Sequence, residues 1–263
     1  HLQSREFELS ELKLLVDSVQ ASKFITEKKT YSLIKKLEKL CSKYEAQSIQ
    51  GQVYLTNRIK SMNQSIYYNT NEIHSAISNG KQISFQYLTY TITKDEAFRR
   101  GGTRYQVSPF ALIYAEENYY LLAFDSKTQI FKHYRVDRMK NIQVSANDRE
   151  GIEQFKEIDM ARYTTQTFSM FGGEAERLTL EFSNSLIGVV IDRFGKDIPI
   201  RKTDEEHFQI SVEVIISKQF FGWLFGLGIG ARIVSPQSAA ERMRKSLEDV
   251  KKTYEVVESS QKM

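Results

Sequence analysis

The sequence predicts an α+β protein in which a helical N-terminal segment precedes two separate sheet-forming regions. Three observations indicate this class. Apolar stripes with helical spacing occupy the first 68 residues, a series of short strand patterns follows one helix between residues 69 and 148, and strand and helix patterns alternate after residue 175. At 263 residues the chain is long enough for about two domains.

Two helices are predicted in the N-terminal segment. The first spans Phe7 to Gln20, with Ser10 as a candidate cap. The second spans Thr26 to Lys43, with Thr26 or Thr30 as its cap. One face of the second helix carries Lys28, Lys29, Lys35, Lys36 and Lys39. Such a face is usually just solvated, and contact with phosphates is the alternative. The less regular stretch from Gln47 to Asn63 indicates a linker or a pairing surface.

A small, strongly bent sheet or barrel of the Sm or SH3 kind is predicted next. A helix that opens at Thr70 and closes at Gly80 leads into it. The predicted strands are Ile83–Leu88, Arg104–Val107, Ala111–Tyr114, Tyr119–Phe124, Phe131–Val136 and Asn141–Ser145. Pro109 is expected to end the second strand, and Thr93 to Gly102 is expected to be a flexible connection.

The last region favours a split ferredoxin-like arrangement, β-α-β-β-α-β, after a linker over residues 149–174. Its strands are predicted at Arg177–Phe182, Ile198–Arg201, Phe208–Ile216 and Ala231–Val234, and its helices at Ser185–Phe194 and Gln219–Leu227. A final helix starts at Pro236, and its predicted buried stripe is Ala240, Met243, Leu247 and Val250. Trp223 is interpreted as a packing residue. Gly226 to Gly230 follows a helix, so it is interpreted as a turn and not as a dinucleotide loop.

Composition favours a soluble, cytoplasmic protein with no resident cofactor. The chain is 41% hydrophobic and 27% charged, and its net charge of +4 permits an anionic partner without arguing for one. The single Cys41 excludes an internal disulfide and is best explained as a core residue. Four scattered histidines make a metal site improbable. Because no catalytic motif is found, we do not expect an enzyme.

The strongest candidate for a functional site is the predicted hairpin of residues 119–136. Its second strand alternates, with Tyr134 and Val136 on one face and His133 and Arg135 on the other. The arginine fork binds carboxylate and phosphate groups in bidentate fashion, which suggests an anionic ligand. The candidate binding residues around the barrel are Tyr87, Arg104, Ser108, Tyr120, His133, Arg135 and Arg138. Ordinary solvent-facing charges are the alternative, and the absence of an activated nucleophile favours binding over turnover.

Several short motifs resemble the WYL domain, an Sm-like barrel of bacterial transcription regulators. They are I-S-F-Q-Y from Ile83, V-S-P-F-A-L from Val107, Y-Y-L from Tyr119 and Y-R-V-D-R-M from Tyr134. Tyr119 stands where the family has tryptophan. The later motifs I-D-R-F-G-K, F-F-G-W-L and A-R-I-V-S-P are similar to WCX, the extension that follows this domain. Residues 5–17 and 22–29 are similar to the helices that precede it.

The resemblance implies a ligand-sensing regulator, generally a homodimer, whose barrel binds a nucleotide or single-stranded nucleic acid. The family's pocket positions correspond most securely to Tyr120, Arg135 and Arg138. Double-stranded DNA would be bound by a winged helix-turn-helix, which is not found in these residues. The implied division is a helical segment at 1–68, the WYL domain at 69–148, a linker at 149–174 and WCX at 175–263. A stand-alone nucleic-acid-binding module without a regulatory switch is the alternative.

Overall fold

The computed structural model describes residues 7–49, 66–168, 170, 173 and 175–260. The chain divides into two compact units, His1–Glu157 and Ile158–Met263, and each holds one sheet with its own core. Within the described residues, no helix combines the length and the apolar character needed to cross a bilayer. The irregular stretch predicted between Gln47 and Asn63 lies mostly outside the described residues.

The N-terminal segment folds as helices α1 (Leu9–Ala21), α2 (Glu27–Leu37) and α3 (Lys43–Ile49). Leu12, Val16 and Ile34 are buried together between α1 and α2. The predicted cap of α2 is confirmed, because the Thr26 hydroxyl accepts a hydrogen bond from the Lys29 backbone N–H at 3.3 Å. The predicted cap at Ser10 is wrong. The N-cap is Glu8, two residues earlier, where the Glu11 carboxylate accepts from the Glu8 N–H at 2.7 Å.

A curled, half-barrel antiparallel sheet follows helix α4 (Ile66–Ser78). Its strands are β1 (Lys81–Tyr90), β2 (Glu96–Phe98), β3 (Tyr105–Ala115), β4 (Asn118–Asp125), β5 (Ile130–Arg135) and β6 (Met139–Asp148). Their order is β2-β1-β3-β4-β5, and β6 also pairs with β1. Strand β1 therefore has three partners: β2 pairs with its C-terminal end, and β3 and β6 pair with its earlier residues.

Two predictions for this sheet are wrong. Strand β3 does not end at Pro109 but continues to Ala115, with a register shift between Pro109 and Ala111. Such an irregularity lets a strand accommodate proline, which has no N–H to donate. The connection predicted to be flexible contains β2 and a tight 3₁₀ turn over Arg99–Gly102. In that turn, Arg100 adopts a left-handed backbone with φ of 52°.

The core of the first sheet is rich in aromatic side chains. The rings of Phe85 and Tyr105 stack with centroids 5.4 Å apart, and Tyr134 meets Phe85 edge-on at 5.1 Å. Offset and edge-on pairs of this kind add stability beyond the burial of area, by about 0.5–1.5 kcal/mol each. These rings pack β1, β3 and β5 against one another. The polar residues on the same strands are therefore held in fixed positions.

The chain leaves this sheet through a close contact between Gly151 and Phe124. Gly151 has a φ of +82°, and a Cβ at this position would lie within 2.8 Å of three carbons of the Phe124 ring. A short helix α5 (Ile152–Lys156) begins directly after it. The turn therefore requires glycine for two independent reasons, the left-handed backbone and the lack of space.

The second unit contains helices α6 (Met160–Gln166), α7 (Ile187–Phe194), α8 (Lys218–Gly226) and α9 (Gln237–Ser260). Its strands are β7 (Ala175–Ser183), β8 (Ile200–Lys202), β9 (His207–Ile215) and β10 (Ala231–Ser235), in the antiparallel order β10-β7-β9-β8. The interpretation of Trp223 as a packing residue is confirmed, since its ring contacts those of Phe168, Phe182, Phe194 and Phe220. A 3₁₀ turn at Gly228–Gly230 links α8 to β10, as predicted.

The prediction of a fully buried stripe on α9 is wrong in its second half. Ala239 is buried, and Ala240 and Met243 pack against the core, but Leu247 and Val250 are 39% and 54% exposed. The helix has 24 residues, which corresponds to about 36 Å. The neighbouring strand β10 has five residues and spans only about 17 Å. The helix is therefore much longer than the strand beside it, and the apolar spacing continues beyond the core.

Candidate functional site

Strands β4 and β5 place the main candidate residues on one face of the first sheet. Tyr120 lies directly opposite Arg135, and Leu122 lies opposite His133. Residues that face each other across antiparallel strands point to the same side of the sheet. Tyr134 points to the other side and is buried in the aromatic core, as the alternation predicted.

Arg135 is already held by neighbouring side chains. Its Nε donates to the Asp137 Oδ1 at 3.1 Å, and its Nη2 donates to the Asp137 Oδ2 at 2.9 Å. The same Nη2 also donates to the Asn118 Oδ1 at 2.8 Å. The hydrogen bond with Asp137 raises the pKa of Arg135 above its usual value. Arg135 is thus a fixed cation whose fork is largely occupied.

Arg138 differs from Arg135 because it has no acidic partner among the described residues. It lies in the 3₁₀ turn Val136–Arg138, between β5 and β6. Burial raises the pKa of the Tyr87 and Tyr120 phenols, and the charge of Arg138 acts in the opposite direction on both. The Arg138 guanidinium is therefore close enough to both tyrosines to act on their hydroxyls electrostatically.

Tyr87 contacts both Arg135 and Arg99, and Arg99 was not among the residues predicted from the sequence. Its hydroxyl oxygen accepts a hydrogen bond from the Arg135 backbone N–H at 3.1 Å. The guanidinium of exposed Arg99 lies 5.6 Å from the centre of the Tyr87 ring, which is within the range of a cation–π contact. Arg99, the Arg135 backbone and Arg138 therefore all lie near Tyr87, and we call these three residues the arginine cluster.

Two candidate residues have structural contacts elsewhere. The Arg104 Nη2 donates to the backbone oxygens of Ser84 and Asn141, at 2.9 and 2.6 Å. Ser108 is fully buried, and its hydroxyl accepts from the Glu150 N–H at 2.8 Å. Arg104 thus contacts the backbone of β1 and β6, and Ser108 holds the turn before Gly151. Neither contact brings the residue to the arginine cluster.

His133 is half-buried on β5, and its environment predicts a pH-dependent stability. Burial lowers the pKa of His133 from 6.5 to about 4. Between these two values the unfolded chain binds a proton that the folded chain does not bind, so stability falls as the pH decreases from 7 towards 4. From pH 7 to pH 5 the expected loss is about 2 kcal/mol.

Urea unfolding of the wild type and His133→Gln at pH 7 and pH 5 checks this prediction. The variant should lose less stability than the wild type over the same interval. Equal losses in the two proteins would show that His133 does not cause the dependence. Because the single tryptophan lies in the second unit, the unfolding of the first unit is best followed by the near-ultraviolet circular dichroism of its tyrosines.

Asn69 anchors the turn that carries Arg138. This residue of α4 is buried, and its Nδ2 donates to the Met139 carbonyl at 2.7 Å and to the Val136 carbonyl at 3.5 Å. Asn69→Ala should lower the free energy of unfolding by about 1–3 kcal/mol, because two buried carbonyls lose a donor. Exposed Asn79 bonds within its own helical turn, so Asn79→Ala is the matched control and should change stability by under about 0.5 kcal/mol. Equal effects in urea unfolding would contradict the anchoring role.

The sequence could not reveal Asn69, Arg99 or Asn118 as parts of this site. Their contacts cross wide separations in the chain, for example 70 residues between Asn69 and Met139. For Arg99 there was one sequence signal: the pair Arg99–Arg100 precedes Gly101 and Gly102. A glycine pair marks a turn, and a turn can bring neighbouring side chains back towards a sheet. Among the described residues, no group of three or more His, Cys, Asp or Glu side chains could hold a metal ion.

Comparison with protein families assigns each of the two sheets to a known domain. The sequence matches the WYL domain over residues 69–144, which include most of α4 and the six strands of the first sheet up to β6. It matches the WCX domain over residues 174–250, which include the whole second sheet and the first half of α9. Together the two matches cover more than half of the chain. The order of a curled sheet with a cationic face and a second antiparallel sheet is thus that of a WYL domain followed by its extension. The chain therefore belongs to the proteins that carry a WYL domain followed by a WCX domain.

Similar solved structures include the Proteasome accessory factor B/C (PafBC) of Arthrobacter aurescens. The sequence identity is 16%, the TM-score is 0.32, and the match covers 91% of this chain. It covers 35% of the other chain, so this chain spans about a third of that protein's length. A search of the curated proteins finds no match.

Proposed function

We propose that this chain is the effector-sensing and dimerisation region of its regulator, and that an anionic effector binds at the arginine cluster. The observation that carries the proposal is the position of Arg138. Its charge acts on the Tyr87 and Tyr120 hydroxyls, against the opposing charge of Asp137, and Arg138 forms no ion pair among the described residues. A phosphate at this position receives hydrogen bonds from the Arg138 fork and from the tyrosine hydroxyls.

The remaining groups give the site its order. Asp137 and Asn118 hold Arg135 in place, and the Asp137 carboxylate offsets its charge, so the positive charge of the site comes mainly from Arg138 and Arg99. Exposed Arg99 lies in the turn directly after β2, and its guanidinium is next to the Tyr87 ring. Charge-assisted hydrogen bonds contribute about 1.5–3 kcal/mol each, so two of them contribute about 3–6 kcal/mol, which corresponds to dissociation constants from the millimolar range down to tens of micromolar. A nucleotide or a short single strand of nucleic acid has the required phosphates.

The proposed mechanism is a change in domain packing within a homodimer of this cytoplasmic protein. In this proposal the curled first sheet is an Sm-like barrel, and the strand order β10-β7-β9-β8 supports a ferredoxin-like assignment for the second sheet. Effector binding shifts the population between two packing arrangements of these domains. The spacing of DNA-reading helices supplied by a further domain then changes, and half-site recognition depends on that spacing.

A second candidate function, a stand-alone nucleic-acid-binding module, is favoured by the turn Arg99–Gly102. The Arg100 guanidinium lies 4.6 Å from the centre of the Tyr105 ring, beside the Arg99 contact with Tyr87. Exposed arginines next to tyrosines provide the charge and the aromatic surface on which single strands bind with little sequence preference. This function predicts affinity that rises with strand length, whereas an effector site saturates with a single small ligand.

Native mass spectrometry of the freshly purified protein, combined with titration of ligands, tests the proposal. The ligands are cyclic mononucleotides and single strands of two, five and twenty nucleotides. We expect a dimer that binds one small ligand per protomer. Affinity that increases steadily up to twenty nucleotides would favour the second candidate, and the absence of binding by every ligand would overturn both.

A further inference from the structure

A cavity of about 550 Å³ lies between the N-terminal helices and the first turn of α4. Its apolar walls are formed by Val19, Phe24, Ile25, Leu33 and Ile66. The volume is within the range of about 300–1,000 Å³ that is typical of small-molecule sites. We call this space the helical cavity. None of the residues that line it belongs to the arginine cluster.

One edge of the helical cavity is basic. Lys28, Lys29 and Lys36, all on α2, contribute to its lining together with Leu33. Residues 29, 33 and 36 follow one another at helical spacing, so a single face of α2 borders the cavity with two charges and an apolar group between them. Lys28 and Lys36 form no ion pair with any residue in the described ranges. Lysine stems commonly lie along apolar surface while the ammonium group stays in water.

We propose that the helical cavity is a second ligand site, for an amphipathic anion that consists of a carboxylate on an apolar chain. The chain fills the mainly aliphatic walls, and the carboxylate lies at the basic edge, where Lys28 and Lys36 supply positive charge. Lysine acts as a compact point charge without a planar fork, which suits a small anionic head whose position is set by its apolar tail. A ligand at this position contacts both α2 and α4, and it therefore stabilises the packing of the N-terminal helices against α4.

Calorimetric titration with dodecanoate, below the concentration at which it forms micelles, tests the proposal. The ligand control is dodecyltrimethylammonium, which has the same chain and the opposite charge. The test variant is Lys28→Glu with Lys36→Glu. The matched control is Lys39→Glu with Lys43→Glu, which reverses two exposed lysines outside the cavity. Leu33→Trp fills the cavity without changing its charge.

We expect one dodecanoate per chain, and binding at least about tenfold weaker in the Lys28/Lys36 variant and in Leu33→Trp. The Lys39/Lys43 variant should stay within about twofold of the wild type, and the cationic ligand should bind at least about tenfold more weakly than dodecanoate. Equal binding of the two amphiphiles, or equal losses in both double variants, would overturn the proposal. Arg138→Ala should bind dodecanoate normally, so this result is separable from the test of the arginine cluster.

Discussion

Replacing Arg138 with alanine is expected to weaken binding of the anionic effector by about tenfold to a hundredfold. The change removes a guanidinium that has no acidic partner among the described residues, so the folded protein loses no ion pair within them. The lost charge-assisted hydrogen bonds correspond to about 1.5–3 kcal/mol of binding free energy. The measurement is a titration with the tightest ligand found for the wild type, at two salt concentrations.

Arg244→Ala is the matched control, because it removes an exposed arginine of α9 in the second unit. It should leave the affinity within about twofold of the wild type. The apparent salt dependence should decrease in Arg138→Ala alone, since one contact with the anion is lost. If both variants bind equally well, the effector does not contact Arg138 and the proposed site is wrong.

Arg135→Ala is a less direct test than Arg138→Ala. The two arginines could not be distinguished from the sequence. In the structure, the Arg135 side chain donates hydrogen bonds to Asp137 and Asn118. Its removal leaves Asp137 without its cation, next to Arg138, and a new Asp137–Arg138 pair would itself reduce anion binding. A loss of affinity in Arg135→Ala therefore does not show that Arg135 contacts the ligand.

Gly151→Ala is expected to destabilise the first unit by about 2–5 kcal/mol. The left-handed backbone at this position costs a residue with a Cβ about 1–2 kcal/mol. Overlap with the Phe124 ring adds about 1–3 kcal/mol, because Phe124 is fully packed in the core. Since domains are stable by only about 5–15 kcal/mol, the variant should unfold at a much lower urea concentration.

Gly80→Ala separates the two contributions. Gly80 has a similar φ of +62°, and a Cβ there would meet no atom within 4 Å. This variant should lose only the backbone term of about 1–2 kcal/mol. Urea unfolding followed by tyrosine circular dichroism reports the first unit, and the fluorescence of Trp223 reports the second as an internal reference. Equal destabilisation by the two substitutions would show that Phe124 moves aside without cost.

Local patterns predicted most helices and strands of this chain, although they missed β2 and divided β3 into two strands. The two-residue period separated Tyr134 from Arg135 correctly, and Gly80 marked the end of α4, where its φ is +62°. The same reasoning failed for Ser108. It is a polar residue in a strand, yet the register shift at Pro109 and the turn at Glu150 give its buried hydroxyl a backbone partner. That partner lies 42 residues away in the chain, so no local pattern contains it.

The candidate site was predictable only in part for the same reason. Tyr120, Arg135 and Arg138 lie on or beside one hairpin, and their proximity follows from strand pairing. The role of Tyr87 depends on a contact with Arg135 across 48 residues. The difference between Arg135 and Arg138 depends on where Asp137 points, and spacing alone does not determine that. Sequence patterns thus predicted which arginines lie together, and the structure shows that Arg135 is paired with Asp137 whereas Arg138 forms no ion pair within the described residues.

Strand β1 pairs with β2, β3 and β6, and the late emergence of β6 affects how the chain folds during synthesis. The first residue of β1, Lys81, pairs with Asp148, which leaves the ribosome 67 residues later. Closing a loop of this length costs conformational entropy, and the contacts between β1 and β6 offset that cost only after they have formed. The nascent curled sheet therefore stays incomplete until β6 emerges, and until then one side of β1 is a site where chaperones or a neighbouring nascent chain can bind.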